Sequence, residues 1–189
     1  KETELYLNGG FGFHSNDARG VTITRDPVSG AAVDTVPPLV RTKGAELGLR
    51  TQIIPNLTST LALWYLRSDS ELVYVGDAGN IEAGDASERY GIEWSNYWRP
   101  TSWLYVDAEA TVTETYFVDT GEKIENAVPV SFSGGIAIGE STGLFASLRA
   151  RYFAPRPLSG DGSIKSEDAF QLNAQVGYRT ENHWQIALE

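Results

Sequence analysis

The sequence holds two histidines, His14 and His183, and no cysteine. His14 is followed by Ser15, the two residue types that act as base and nucleophile in acyl transfer. Geometry excludes that chemistry here. Adjacent residues on a strand point to opposite faces, so His14 cannot take the Ser15 proton directly. His183 closes the short segment Thr180-Glu181-Asn182-His183 and reads as a turn residue. Without cysteine there is no thiol nucleophile, thiolate metal site or disulfide framework. Asp161-Gly162 and Asp77-Ala78-Gly79-Asn80 carry oxygen ligands that suit calcium. Neither has the ligand spacing of a full site, and turn chemistry accounts for both. No glycine-rich stretch has the strand-to-helix setting of a phosphate loop. The chain reads as a non-enzyme with no catalytic residue, cofactor or metal.

Two groups remain that could bind. The corner Asn16-Asp17-Ala18-Arg19-Gly20 follows His14. In one reading Asn16 and Asp17 bond nearby backbone amides, and Arg19 pairs with a carboxylate on a neighbouring strand. In the other, His14, Asn16, Asp17 and Arg19 present a polar surface. Arg149 and Arg151 are two apart and share one face. They either meet an anionic ligand or balance Glu93, Asp107 and Glu109 across a sheet.

The elements that position these residues are long alternating strands. From Leu5 the chain sets Leu5, Leu7, Phe11 and Phe13 on one face, and Tyr6, Asn8, Gly10, Gly12 and His14 on the other. The period of two recurs nearly everywhere. It predicts strands over about 4–14, 41–54, 58–75, 88–98, 103–118, 130–139, 143–154 and 168–179, with a ninth starting at Trp184. The stretch from Trp103 separates cleanly: Leu104, Val106, Ala108, Ala110 and Val112 oppose Asp107, Glu109, Thr111 and Thr113. Such strands exceed the five or six residues usual in soluble proteins, and match the roughly 9–11 that a tilted strand needs to cross a bilayer.

The connections alternate between two kinds. Residues 54–57, 99–102, 140–142 and 180–183 are tight turns. Residues 15–40, 76–87, 119–129 and 155–167 are long and polar. Transmembrane barrels sort their connections in this way, with short periplasmic turns and long external loops. Trp98, Trp103 and Trp184 sit beside short turns; Tyr74, Tyr116, Phe117, Tyr152 and Phe153 sit near long loops, as two interfacial girdles would. The longest apolar run, Leu61 to Leu66, is far short of the roughly 18 residues of a membrane helix, but barrel strands hide their hydrophobicity by alternating it. The net charge of −10 argues against a nucleic-acid partner. The chain begins at Lys1 with no initiator Met and no signal peptide, as a processed or excised chain would.

Gly10-Phe11-Gly12-Phe13-His14-Ser15-Asn16-Asp17-Ala18-Arg19-Gly20 resembles a strand-to-loop motif in the C-terminal half of TonB-dependent outer-membrane receptors. Four later segments agree in order: Lys43-Gly44-Ala45-Glu46-Leu47-Gly48, Asp69-Ser70-Glu71-Leu72-Val73, Tyr90-Gly91-Ile92-Glu93 and Asn126-Ala127-Val128-Pro129. The resemblance implies an all-β, antiparallel, up-and-down transmembrane β-barrel in the bacterial outer membrane. About nine to ten of its strands are seen, and residues 1–189 form one barrel portion. It implies uptake of a scarce nutrient, such as an iron chelate or cobalamin, and four partners: outer-membrane lipid, a plug domain, the TonB complex and a small-molecule substrate. The chain departs from the family pattern in having no plug, no energy-coupling segment and an odd strand count, as a fragment would. His14, Asn16, Asp17, Arg19, Arg149 and Arg151 would then face the plug or substrate. A passive outer-membrane channel or structural barrel, and a soluble β-rich binding module, are the alternatives.

Overall fold

The computed structural model describes residues 2–15, 21–25, 30–32, 37–70, 72–75, 80–83, 85–181 and 184–189. Among the described residues there are eleven strands: β1 (Thr3–Ser15), β2 (Leu39–Thr51), β3 (Leu57–Ser68), β4 (Leu72–Val75), β5 (Asn80–Ala83), β6 (Ser87–Trp98), β7 (Leu104–Phe117), β8 (Val130–Gly139), β9 (Gly143–Phe153), β10 (Ala169–Arg179) and β11 (Gln185–Leu188). Nine of them form one sheet in the order β1-β2-β3-β6-β7-β8-β9-β10-β11, every neighbour antiparallel. Within the main sheet this is the expected up-and-down meander. The sheet does not close on itself, so β1 and β11 are its edges.

One expected strand divides in two. The alternation through 58–75 predicts a single strand, but β3 ends at Ser68 and β4 pairs only with β5, in a separate two-stranded ribbon. The ladder stops where its partner does, at the Ser68–Ser87 pair, and both serines are buried. The turn-forming Asp69 and Ser70 follow at once. Alternation resumes beyond the break and conceals it. For the same reason the segment 76–87, read as loop, contains β5.

Register makes the two faces chemically distinct. One rung runs Leu5–Leu49–Leu61–Trp94–Ala110–Phe132–Tyr152–Phe170 across eight strands. The adjacent residues form a rung Glu4–Arg50–Thr60–Ser95–Glu109–Ser133–Arg151–Gln171 across the same strands. The first has no charge and the second no aliphatic or aromatic side chain. The sheet has almost no core of its own. Val40, Ala62, Ile124 and Phe145 are the buried hydrophobic side chains among the described residues, while Leu7 is 76 % and Phe11 93 % exposed. A water-soluble sheet buries its apolar face against a second layer. Here that face is bare along every strand of the main sheet, which fits a lipid surround.

The girdles follow the same parity. Trp98 pairs with Val106 on the apolar face beside the short turn. Tyr116 and Tyr152 are on the apolar face near the long connections, whereas their chain neighbours Phe117 and Phe153 are on the polar one. Consecutive strand residues cannot both face lipid. The side chain of Tyr74 lies outside the described residues.

Candidate functional site

The polar face is the surface on which these strands can do anything beyond spanning. One hydrogen-bonded part of it lies on β7 to β9. Asp107 on β7 is 5 % exposed. Arg149 on β9 reaches it across β8: Nη2 donates to Asp107 Oδ1 at 2.6 Å, and Nη1 to Ser133 Oγ at 3.2 Å. The strand between them presents Gly135, against which the guanidinium lies; a methyl group there would sit 2.8 Å from Arg149 Nη2. Glu109 accepts a hydrogen bond from the Tyr97 hydroxyl. Arg151 is exposed, stands opposite Ser133 and Gln171, and has no ion pair among the described residues.

The expected pair Arg149 and Arg151 therefore shares a face but not a role. Arg149 is committed to Asp107, as the charge-balance reading expects. Arg151 is available. His14 is exposed and stands opposite Val40, while its neighbour Ser15 stands opposite Leu39, so the two point to opposite faces. Asn16, Asp17 and Arg19 lie outside the described residues, as does His183. Asp161 is absorbed by its own loop: Oδ1 accepts from Ser159 Oγ at 2.6 Å, Ser163 N at 3.0 Å and Ser163 Oγ at 2.9 Å. Those donors hold its carboxyl below the usual range, the Ser159 hydroxyl most strongly.

Three features escape a reading of alternation alone. First, polar-face aromatics cover glycines on the neighbouring strand. Tyr6 lies over Gly48, Trp64 over Gly91 and Phe145 over Gly177. Phe145 is only 5 % exposed, and the Arg179 guanidinium stacks 4.0 Å from its ring centre. Second, Glu88, at the long-connection end of the apolar face, gathers donors from Arg67 (2.7 Å), Tyr65 (2.9 Å) and Tyr116 (2.6 Å). Third, two long connections are welded together. Lys123 N donates to Gly160 O at 2.7 Å and Asn126 N to Pro157 O at 2.8 Å, with Ile124 buried beneath. Charge is sorted too. The long connections 16–38, 69–86, 118–129 and 154–168 carry fourteen Asp or Glu against five Lys or Arg, leaving eleven against ten elsewhere.

A bare apolar face, a hydrogen-bonded polar face and sorted connections define a transmembrane barrel wall. Solved structures agree on the fold. The ferric yersiniabactin uptake receptor FyuA from Yersinia pestis superposes with a TM-score of 0.73 at 16 % identity, over 98 % of this chain and 29 % of that one. The copper transporter OprC gives 0.76 at 16 % identity, over 98 % of this chain and 30 % of that one. The ferric-catecholate import receptor Fiu from K12 E. coli gives 0.69 at 17 % identity, over 95 % and 27 %. No curated protein matches the sequence. Residues 3–189 match the family described as TonB dependent receptor-like, beta-barrel, and the chain belongs to that family. TonB-dependent receptors are bacterial outer-membrane transporters, not enzymes. The chain spans a little under a third of the length of the structures it superposes on.

Proposed function

We propose that residues 1–189 form one portion of the barrel wall of a receptor that takes up a scarce nutrient, an iron chelate, cobalamin or similar, with energy passed from the TonB complex. The observation that carries this reading is the pair of adjacent rungs, one wholly apolar and one wholly polar, across eight strands. Such a wall needs lipid outside and a hydrated or protein-filled lumen inside. The similar structures are described as ferric-chelate receptors and a copper transporter, which supports a metal-bearing cargo. On this reading the parent protein also carries a plug. His14 and Arg151 face the plug or cargo, and the same role is proposed for Asn16, Asp17 and Arg19, which lie outside the described residues. Arg149 shapes the wall through Asp107. The wall supports and selects; it performs no bond chemistry.

The test is uptake of radiolabelled iron chelates and cobalamin by cells expressing the full-length protein as their one such receptor. Uptake that stops when the inner-membrane proton gradient is collapsed supports the reading. Uptake that continues unchanged marks a passive channel and sinks it.

A further inference from the structure

Among the described residues, the apolar face of the nine-stranded sheet carries five charged side chains. They are Arg41 and Lys43 on β2, Arg67 on β3, Glu88 on β6 and Glu114 on β7. All five stand toward the long connections, the external side of the wall. Lys43 is eight residues from Thr51 at the far end of β2. At about 3.3 Å per residue and a tilt near 40°, that is roughly 20 Å of height, close to the roughly 25 Å of an apolar band. Tyr65, Tyr90 and Tyr116 share this level and face, with Tyr90 edge-on to Tyr116 at 6.2 Å between ring centres. Tyrosine and charge together place this end at the headgroup layer.

Three of the five charges are matched. Arg67 pairs with Glu88 at 2.7 Å, and Glu114 pairs with Lys123 of the following connection. Arg41 and Lys43 are exposed and have no ion pair among the described residues. Asp69 gives its backbone N–H to Arg41 O at 3.0 Å, but its carboxylate pairs with neither cation. A strand beyond β1 is badly placed to supply an acid. Arg149 crosses β8 because Gly135 lies in its path, whereas Phe11 and Phe13 stand opposite Lys43 and Arg41 and are 93 % and 71 % exposed. A carboxylate approaching across β1 meets those rings.

We propose that Arg41 and Lys43, with Arg67 beside them, seat the phosphate of a lipid in the outer leaflet. The seat rests on the membrane-wall assignment and is independent of the cargo. Lys43 and Arg67 are direct cross-strand partners, with Cβ atoms about 5 Å apart, so ammonium and guanidinium converge on one group. Arg41 stands two residues further up β2. Just beneath the cations the face is low, because Gly9 pairs with Ala45. A methyl placed at Gly9 would meet only Gly44 O, at 3.7 Å. Phosphate above, with Phe11 and this low apolar floor beside and below, fits a headgroup and the start of its acyl chains. The acid-rich connections repel a soluble anion arriving from outside, whereas a lipid reaches the cations from within the bilayer plane.

The test presents two lipids to the full-length protein in neutral detergent and reads bound lipid by native mass spectrometry. The probes are bisphosphorylated lipid A and the same lipid with both phosphates removed. The unmodified protein should hold the phosphorylated form roughly tenfold more tightly. Arg41→Gln with Lys43→Gln should abolish the preference, and Arg41→Lys with Lys43→Arg should keep it. Arg50→Gln, which removes a cation from the polar face, should leave it unchanged. Should the glutamine pair fail to fold, the two lipids on the unmodified protein still decide the matter. Equal retention of both lipids overturns the seat, as does an equal loss in Arg50→Gln. Displacement of the lipid by an equal concentration of inorganic phosphate marks a free-anion site and overturns the lipid assignment. Each of these outcomes leaves the receptor reading standing.

Discussion

Leu148 and Ser147 are adjacent and, by register, on opposite sides of the membrane wall. Leu148 is the central residue of β9 and stands in the rung Val106–Ile136–Leu148–Ala174. Ser147 stands between Ala137 and Gln175 on the polar face and borders a hollow that also holds Arg179. An arginine at 148 must leave its charge near the hydrocarbon midplane, at about 2–4 kcal/mol. At roughly 1.4 kcal/mol per tenfold, that lowers the folded-to-unfolded ratio by about 30- to 700-fold. An arginine at 147 enters a wet surface and should cost under about 1 kcal/mol, mostly through repulsion by Arg179. The full-length protein, refolded into phosphatidylcholine vesicles and unfolded in urea, separates the two by tryptophan fluorescence and by heat-modifiable gel mobility. Leu148→Arg should shift the midpoint strongly and Ser147→Arg scarcely. Equal cost for both substitutions would refute the assignment of faces, and with it the placement of every residue named on the polar side.

Arg149→Met should be costly because it strands the buried Asp107 carboxylate. A fully buried pair would give about 3–5 kcal/mol, but Arg149 is 37 % exposed, so roughly 1–3 is expected. The double substitution Arg149→Met with Asp107→Leu should recover most of it in the same unfolding assay. The Asp161 carboxyl is depressed by the Ser159 hydroxyl and then the Ser163 amide and hydroxyl, so its contribution to loop order is complete above the unfolded carboxyl range and is lost as pH falls through the lower folded value. Hydrogen-exchange protection of the Ser163 and Ile164 amides should drop below about pH 4, and Asp161→Asn should remove that pH dependence. The acid-rich long connections should draw cations. The on-rate of hexaamminecobalt(III) to the full-length protein should fall roughly tenfold as salt rises from low to physiological, while that of an anionic tris-catecholate iron complex should rise. Replacing Asp69, Glu71, Asp77, Glu82 and Asp85 by their amides should flatten both responses; unchanged salt dependence would show that these acids do not set the field.

Eight long strands, the start of a ninth and their faces were legible because alternation is a local signal. Leu104 to Thr113 announces β7 without help from any other part of the chain. The break at Asp69 was hidden because β4 resumes the same period, and only the partner strand, beginning at Ser87, shows where the ladder stops. Girdle membership was half right because Tyr116–Phe117 and Tyr152–Phe153 sit together near strand ends, while parity sends each pair to opposite faces. Long-range pairs were invisible. That Arg149 meets Asp107 across Gly135, or that Phe145 lies over Gly177, depends on register between strands, which no single strand encodes.

Register itself must be set somewhere, and in this wall the short turns are the strongest candidates. A slip of one residue between two strands would exchange the apolar and polar rungs and turn charge to lipid. Lipid contact penalises that slip, while packing within the described sheet adds little, since it has almost no interior. The turns supply what the missing core does not. Asn56 adopts φ 60°, and Gly139 and Gly143 adopt φ 137° and 93°, conformations that a β-branched residue resists. Hydrogen bonds lock the same ends: Arg99 N to Asn56 O at 2.9 Å, Gly139 N to Trp103 O at 2.9 Å and Thr180 N to Trp184 O at 2.9 Å. All of them lie on the short-turn edge, so register is pinned at one end of the wall and carried by the ladders to the other. That division leaves the opposite edge free to bear long acidic connections of any length without disturbing which face meets the lipid.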